Sequence, residues 1–319
     1  MSHQIETMAY KGSTPWHGLG NILPAHQPIE IWAKQAGMDW EIRQSPVRFI
    51  TGQNDILGEI KSFEDKKVLY RSDTSAALSV VGNRYKVVQP REILEFYRDL
   101  TEQAGFELET AGVLKEGKKI WALARTGQSG SLRGNDVSNG YVLLATACDG
   151  SMATTAQSTS IRVVCNNTLA IALKSGSGIV KVPHSKVFDA QKVKKELGIS
   201  ISAWDNFMYE MKTLSERKVS SKEATAFINK VFYNPKAPNN TGVNERAKNK
   251  VLNLFNGHGK GADLLSSKNT AFGLLNAVTE YVDHERKAKN TDYRVDSAWF
   301  GQGANIKSKA LDQALLLVA

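Results

Sequence analysis

Apolar residues alternate with polar ones over much of the first half of this chain and recur every three to four residues over much of the second. The first pattern has the period of strands with one buried face, the second that of amphipathic helices. Short strands are predicted at 40–43, 47–51, 68–71 and 84–88, separated by turns at Gly52, Asp55, Gly58, Asp65 and Gly82-Asn83, so this region reads as a meander. A short helix is predicted over 28–36, closed by Gly37. Pro90 starts another, in which Ile93, Phe96, Tyr97, Leu100 and Ala104 form one apolar stripe before Gly105. Strands follow at 106–110, 118–125 and 141–148, with the Gly/Ser-rich stretch 127–140 as a loop.

The densest signal lies in residues 158–173. Ile161, Val163 and Cys165 alternate with Arg162, Val164 and Asn166, which predicts a strand turning directly into a helix that carries Leu169, Ile171, Ala172 and Leu173. Asn166 or Asn167 would cap that helix, and Arg162 would point outward beside its start, an arrangement suited to an anion. A surface charge beside a plain cap is the other reading. Beyond residue 174 helices are predicted through Trp204 to Leu214, over 221–232, 244–255 and 267–284, and at the C-terminal end. The last of these carries Ala310, Leu311 and 314–318, an apolar surface that must dock on its own domain or on a neighbour. The fold class is thus α+β: an antiparallel sheet packed with helices, then a mainly helical part.

Charge adds a direction. The net charge is +9, and it is uneven: residues 1–110 carry 12 Lys/Arg against 15 Asp/Glu, residues 111–200 carry 12 against 5, and residues 201–319 carry 17 against 12. A basic surplus in the middle and C-terminal parts suits a polyanion, nucleic acid before membrane. In the strand at 118–125, Lys119, Trp121, Leu123 and Arg125 share one face, basic residues interleaved with an aromatic, which suits backbone contact plus stacking on a single strand. A half-buried Trp between solvated charges has the same spacing. Arg84 and Lys86 stand two apart on one face of the strand at 84–88.

Other features bound the function by what they lack. Trp16 and His17 sit in a turn-rich loop, with neither a second His nor a Cys at metal-ligand spacing. The Ser175-Gly-Ser-Gly178 stretch has the composition of a linker rather than of a nucleotide cradle. The sequence has no zinc-type Cys/His cluster, no nucleophile elbow and no Walker lysine loop, so no cofactor is expected and catalysis is unsupported. Cys148 and Cys165, both in apolar strand-like runs, read as buried thiols of a reducing compartment. Without a spanning apolar run or a signal segment, the expectation is a soluble cytoplasmic protein that does not engage membrane.

Pro15-Trp-His-Gly-Leu-Gly20, Ile161-Arg-Val-Val-Cys-Asn-Asn-Thr-Leu169, Asn276-Ala-Val-Thr-Glu-Tyr-Val-Asp-His284 and Phe300-Gly-Gln-Gly303 together resemble the phage/plasmid-like proteins grouped as domain of unknown function 932. The resemblance implies a bacteriophage, prophage or conjugative element and assigns no reaction. A looser likeness, at the level of fold, is to the oligomeric single-strand annealing proteins of phage recombination. The resulting expectation is a single-stranded DNA (or RNA) binding or annealing protein that acts in recombination or replication and assembles into rings or filaments. A phage exonuclease or a host single-strand binding protein would be its partner. Arg84, Lys86, Lys118, Lys119, Arg125, Arg162 and Lys181 would contact phosphate, Trp121 would stack, and Asn166 and Asn167 would lie beside them. Residues 1–178 would carry the binding surface, and residues 179–319 subunit contact or a clamp. An enzyme acting on nucleotides or nucleic acid, with the Trp16-His17 loop and Asn166-Asn167 forming its pocket, and an inhibitor of a host protein are the alternatives.

Overall fold

The computed structural model describes residues 5–12, 20–52, 58–103, 105–133, 135–164, 167–171, 179–197, 201–234, 242–289 and 291–319. In chain order these form β1 (Ile5–Lys11), β2 (Asn21–Leu23), α1 (Ile29–Gln35), β3 (Ile42–Ile50), β4 (Ile60–Arg71), β5 (Ala77–Gly82), α2 (Pro90–Glu95), α3 (Arg98–Gln103), β6 (Glu107–Leu114), β7 (Lys119–Leu132) and β8 (Asp136–Ala147). Then come β9 (Thr154–Arg162), β10 (Asn167–Ala170), β11 (Ile179–Val182), α4 (Ala190–Leu197), α5 (Ile201–Glu216), α6 (Ser221–Phe232), α7 (Glu245–Asn253), α8 (Ala271–Glu280), α9 (Thr291–Phe300) and α10 (Gln302–Leu315). The α+β class holds, with sheets packed by helices and a helical C-terminal part. No helix among the described residues is long and apolar enough to cross a membrane.

The chain divides into two compact units: residues 1–126, 142–157 and 179–197 form the first, and residues 127–141, 158–178 and 198–319 the second. The strands β7, β8 and β9 each contribute to both.

In the first unit β9, β8, β7, β6, β1 and β2 follow in that order, with β11 antiparallel to the start of β9, Ile179 opposite Gln157. A separate three-stranded antiparallel sheet has the order β3-β4-β5. Trp32, Met38, Trp40, Leu69, Ile93, Phe96 and Tyr97 fill the core. The Tyr97 hydroxyl, buried with its ring, donates to the Ala122 carbonyl at 2.8 Å, so no polar atom is left orphaned there. Helix α1 ends as its sequence predicts: Gly37 has φ 66°, and a Cβ at that position would collide with the Thr7 side chain.

The second unit packs β10 and the inner faces of α5, α6, α8 and α10 around Leu169, Phe207, Phe227, Leu254, Phe272, Leu275 and Leu311. The helix caps follow the sequence closely. Ser220 accepts from the Glu223 backbone N–H, Asn244 from that of Ala247 and Thr270 from that of Gly273, so each short polar side chain satisfies one orphan donor of α6, α7 or α8. The C-terminal helix docks inside its own unit, with Lys307, Ala310, Leu311 and Ala314 buried.

Four local expectations are corrected. Residues 84–88 are not a strand; β5 ends at Gly82, and the chain continues as an extended segment outside the sheet. The expected loop at 127–140 is largely the continuation of β7 and β8 as a strand pair. Residues 167–170 are not a helix start but β10, with Asn167 opposite Arg162 and Ala170 opposite Thr159. Cross-strand pairing with β9 outweighs the weak helix preference of a run that contains Thr168, and Leu169 becomes the buried residue of a strand. The apolar stripe after Pro90 is split between α2 and α3. The Trp16-His17 loop, Cys165, Asn166 and the Ser175–Gly178 linker lie outside the described residues.

Candidate functional site

The most distinctive surface chemistry of the first unit arises where two distant segments are tied together. Leaving the sheet after Gly82-Asn83, residues 84–88 have no ladder to complete; the Tyr85 N–H turns back to the Gly82 carbonyl, and both backbone groups of Lys86 bond to the segment that follows β11. The Lys86 N–H donates to the His184 carbonyl at 2.6 Å, and His184 Nδ1 donates to the Lys86 carbonyl at 2.9 Å. Because a carbonyl can only accept, the neutral ring carries its proton on Nδ1. The Tyr85 and His184 rings stack with centroids 4.4 Å apart and planes 13° apart. Tyr85 donates its hydroxyl to the Ala147 carbonyl at 2.6 Å, and burial pushes its phenol above the ordinary range.

Cations gather around this stacked pair. Lys67 Nζ donates to the Tyr85 carbonyl at 2.8 Å, while burial, and then the charge of Lys86, holds its ammonium below the usual lysine range. Arg84, Lys86, Lys181 and Lys186 are exposed, and none of them forms an ion pair with a described residue. The Lys86 charge adds to the positive potential felt at Lys67, while Asp65 and Glu92 line the same surface.

The expected binding residues divide sharply. Arg84, Lys86 and Lys181 are exposed; Lys118 and Arg125 are half-buried. Lys119 and Trp121 are buried, because β7 lies between β6 and β8 and is covered over 119–124, so the interleaved basic and aromatic face is core rather than surface. His184, Tyr85, Lys67 and Lys186 join the surface without having been expected there. The basic run at 181–195 signals Lys186, but nothing local to either segment places Tyr85 against a histidine about a hundred positions away.

Arg162 and Asn167 belong to a buried polar network of the second unit. Arg162, predicted to point outward, is 4% exposed and forms a two-pronged ion pair with Asp136: Nε to Oδ1 at 2.7 Å and Nη2 to Oδ2 at 2.8 Å. Nη2 also donates to Ser267 Oγ at 2.8 Å and to the Gly261 carbonyl at 3.2 Å, and Ser266 donates to Asp136. Asp136, the first residue of β8, therefore has a specific partner. Nearby, Lys307 Nζ donates to Asp283 Oδ1 at 2.7 Å and to Thr168 Oγ1 at 2.6 Å. Asp283 Oδ2 accepts from the Thr168 N–H at 2.8 Å. His284 Nε2 donates to Asn167 Oδ1 at 3.2 Å, and Asn167 Nδ2 donates to the Asn276 carbonyl at 3.3 Å. Two of the stretches that carry the family resemblance, 161–169 and 276–284, thus meet side chain to side chain. Their cations have partners supplied by the fold, which makes this network a clamp on the unit and leaves its charges unavailable to a ligand. Among the described residues no group of His, Cys, Asp and Glu is placed to hold a metal ion.

The family described as Domain of unknown function (DUF932) matches residues 77–299, more than two thirds of the 319 residues, and the chain belongs to it. The match includes Tyr85 and His184 and, except for Lys307, the residues of the buried network. No curated protein and no solved structure matches the chain.

Proposed function

For this member of the DUF932 family we propose binding of single-stranded nucleic acid, DNA first, through the basic surface around Tyr85 and His184. The observation that carries the reading is the set of exposed cations, Arg84 and Lys86 on either side of Tyr85 and Lys181 and Lys186 within three residues of His184, that have no ion-pair partner among the described residues and lie along the segments that form a stacked ring pair. Cations kept solvated and uncompensated cost the fold little and are free to exchange small counter-ions for phosphates, which supplies most of the affinity of a sequence-independent binder. A partly exposed ring pair beside them suits a contact that recognises a chain of bases without reading its sequence. The phosphate contacts are therefore assigned to Arg84, Lys86, Lys181 and Lys186, while Lys119, Trp121, Arg162 and Asn167 are reassigned to the core. A role in annealing, recombination or replication of a phage or other mobile element extends this reading through the resemblance.

The test is equilibrium binding of oligo-dT to the whole chain without divalent metal, from about 50 to 200 mM salt. A linear fall of log affinity with log salt, steep enough for several phosphates, is expected. Absence of binding, or an affinity that does not change with salt, contradicts the proposal.

A further inference from the structure

The surface around Tyr85 and His184 opens into a groove that runs toward the three-stranded sheet. Arg84, Tyr85 and His184 line a cleft that also includes Asn83. Asn83 and Tyr85 line a second cleft, with Lys67 and Lys86. Asn83 and Lys67 line a third, of about 360 Å³, together with Lys66, Gln44 and Phe63. The shared residues join the three into one continuous groove within the first unit. Its far end is the base of a β-arm: β5 pairs with β4 only between Lys66 and Tyr70, so Val47–Ile50 and Ile60–Phe63 form a two-stranded extension. Val47 faces Phe63 across the strands, and Phe49 faces Lys61. Side chains alternate between faces, so Val47, Phe49, Lys61 and Phe63 share one face, with the two phenylalanines diagonal neighbours. Arg48, Ser62, Ile50 and Ile60 share the other. Phe49 and Phe63 are 46% and 47% exposed, because a two-stranded arm has no core behind it.

We propose that the Phe49/Phe63 face is a base-stacking platform for a single strand whose phosphates run along Lys66, Lys67 and Lys86. This rests on the nucleic-acid reading above and adds what it lacks, a reason to prefer single strands. In a duplex the π-faces of the bases are covered by their neighbours, whereas an unpaired strand offers them to phenylalanine. Exposed aromatic rings at the end of a groove that also holds Lys66, Lys67 and Lys86 match that ligand in both apolar surface and charge. Glu64, Asp65 and Glu92 also line the groove and disfavour phosphate beside them, which confines the backbone to the lysine side.

The experiment compares F49A/F63A with I50T/I60T, which alters the opposite face, for binding to oligo-dT and to a duplex of equal length, with melting curves and sedimentation on each. F49A/F63A should lose about tenfold or more in single-strand affinity, keep the wild-type duplex affinity and salt slope, and melt normally, while I50T/I60T binds as wild type does. Unchanged single-strand affinity in F49A/F63A, when R84A/K86A has lost it, removes the arm from the site and leaves the basic-surface reading standing. Failure of the wild-type protein to bind any strand overturns both. If either arm variant sediments as a smaller species with unchanged affinity per strand, the arm's partner is a second copy of the chain, and the proposal is wrong.

Discussion

Arg162 and Lys307 in the second unit are buried, each against one aspartate, whereas Arg84 and Lys86 in the first unit are exposed and have no carboxylate partner among the described residues. The difference does not lie in the immediate sequence. Each of the four stands among apolar or uncharged neighbours, and Arg162 sits in as clean an alternating strand as any in the chain. It lies in what the topology brings to each. Asp136 reaches Arg162 from 26 positions away, and Asp283 reaches Lys307 from 24. Moving a cation out of water costs several kcal/mol unless a counter-charge and further hydrogen bonds replace the lost hydration, so burial and pairing arrive together. A cation left in water needs no partner, and it can serve a ligand. The two regions show one residue type holding the fold in one place and remaining free to recognise in the other.

The comparison breaks most sharply at Asp136. Asp136→Ala leaves the Arg162 guanidinium buried without its counter-charge and should cost about 3–5 kcal/mol, read as a lowered urea midpoint. Arg162→Ala should be similarly damaging through the stranded carboxylate, with any loss of nucleic-acid binding following the loss of fold. An R162A protein of normal stability and weak binding would move Arg162 back to the surface role that its position in an alternating strand suggests. Lys307→Ala should cost about 3 kcal/mol, the lower end of that range, because Thr168 still donates two hydrogen bonds to Asp283.

At the other end of the scale, R84A/K86A should stay within about 0.5 kcal/mol of the wild type, since neither side chain has an ion-pair partner to lose among the described residues. A smaller effect still is expected at Cys148. It is buried, donates weakly to the Gly117 and Lys118 carbonyls, and has its thiol pushed up to about 12, first by burial and then by the charge of Asp149. The thiol therefore stays protonated across the neutral and mildly alkaline range, and a thiol reagent should label it in native protein far more slowly than after denaturation. Equal rates would place Cys148 at the surface.

The parts of this architecture legible in the sequence are those that short-range chemistry determines. Pro28 and Gly37 bracket α1, while Ser220 and Asn244 start α6 and α7 within a residue of the expected positions, because a cap is a bond between residues three apart; α8 starts after Thr270, later than the expected 267. The parts that are not legible depend on partners far along the chain. Residues 167–170 have a helix-like composition, yet pairing with β9 makes them a strand. Residues 84–88 alternate like a strand, yet find their partner at His184 instead of in a sheet. Of the expected binding residues, Arg84, Lys86 and Lys181 lie exposed, while Lys119 and Trp121 have the same spacing on a strand that neighbours on both sides bury. Period alone gives the faces of β7; only the packing of the rest of the fold decides that over 119–124 neither face reaches water.

The most direct test of the division of labour is the salt dependence of oligo-dT binding by R84A/K86A, with the melting temperature measured on the same sample. The account predicts an unchanged melting temperature, weaker binding, and a log–log salt slope shallower than the wild type by roughly 0.7 for each phosphate that the variant no longer neutralises. A slope and an affinity equal to those of the wild-type protein would contradict it, and would show that strands, if bound, are held elsewhere on the chain.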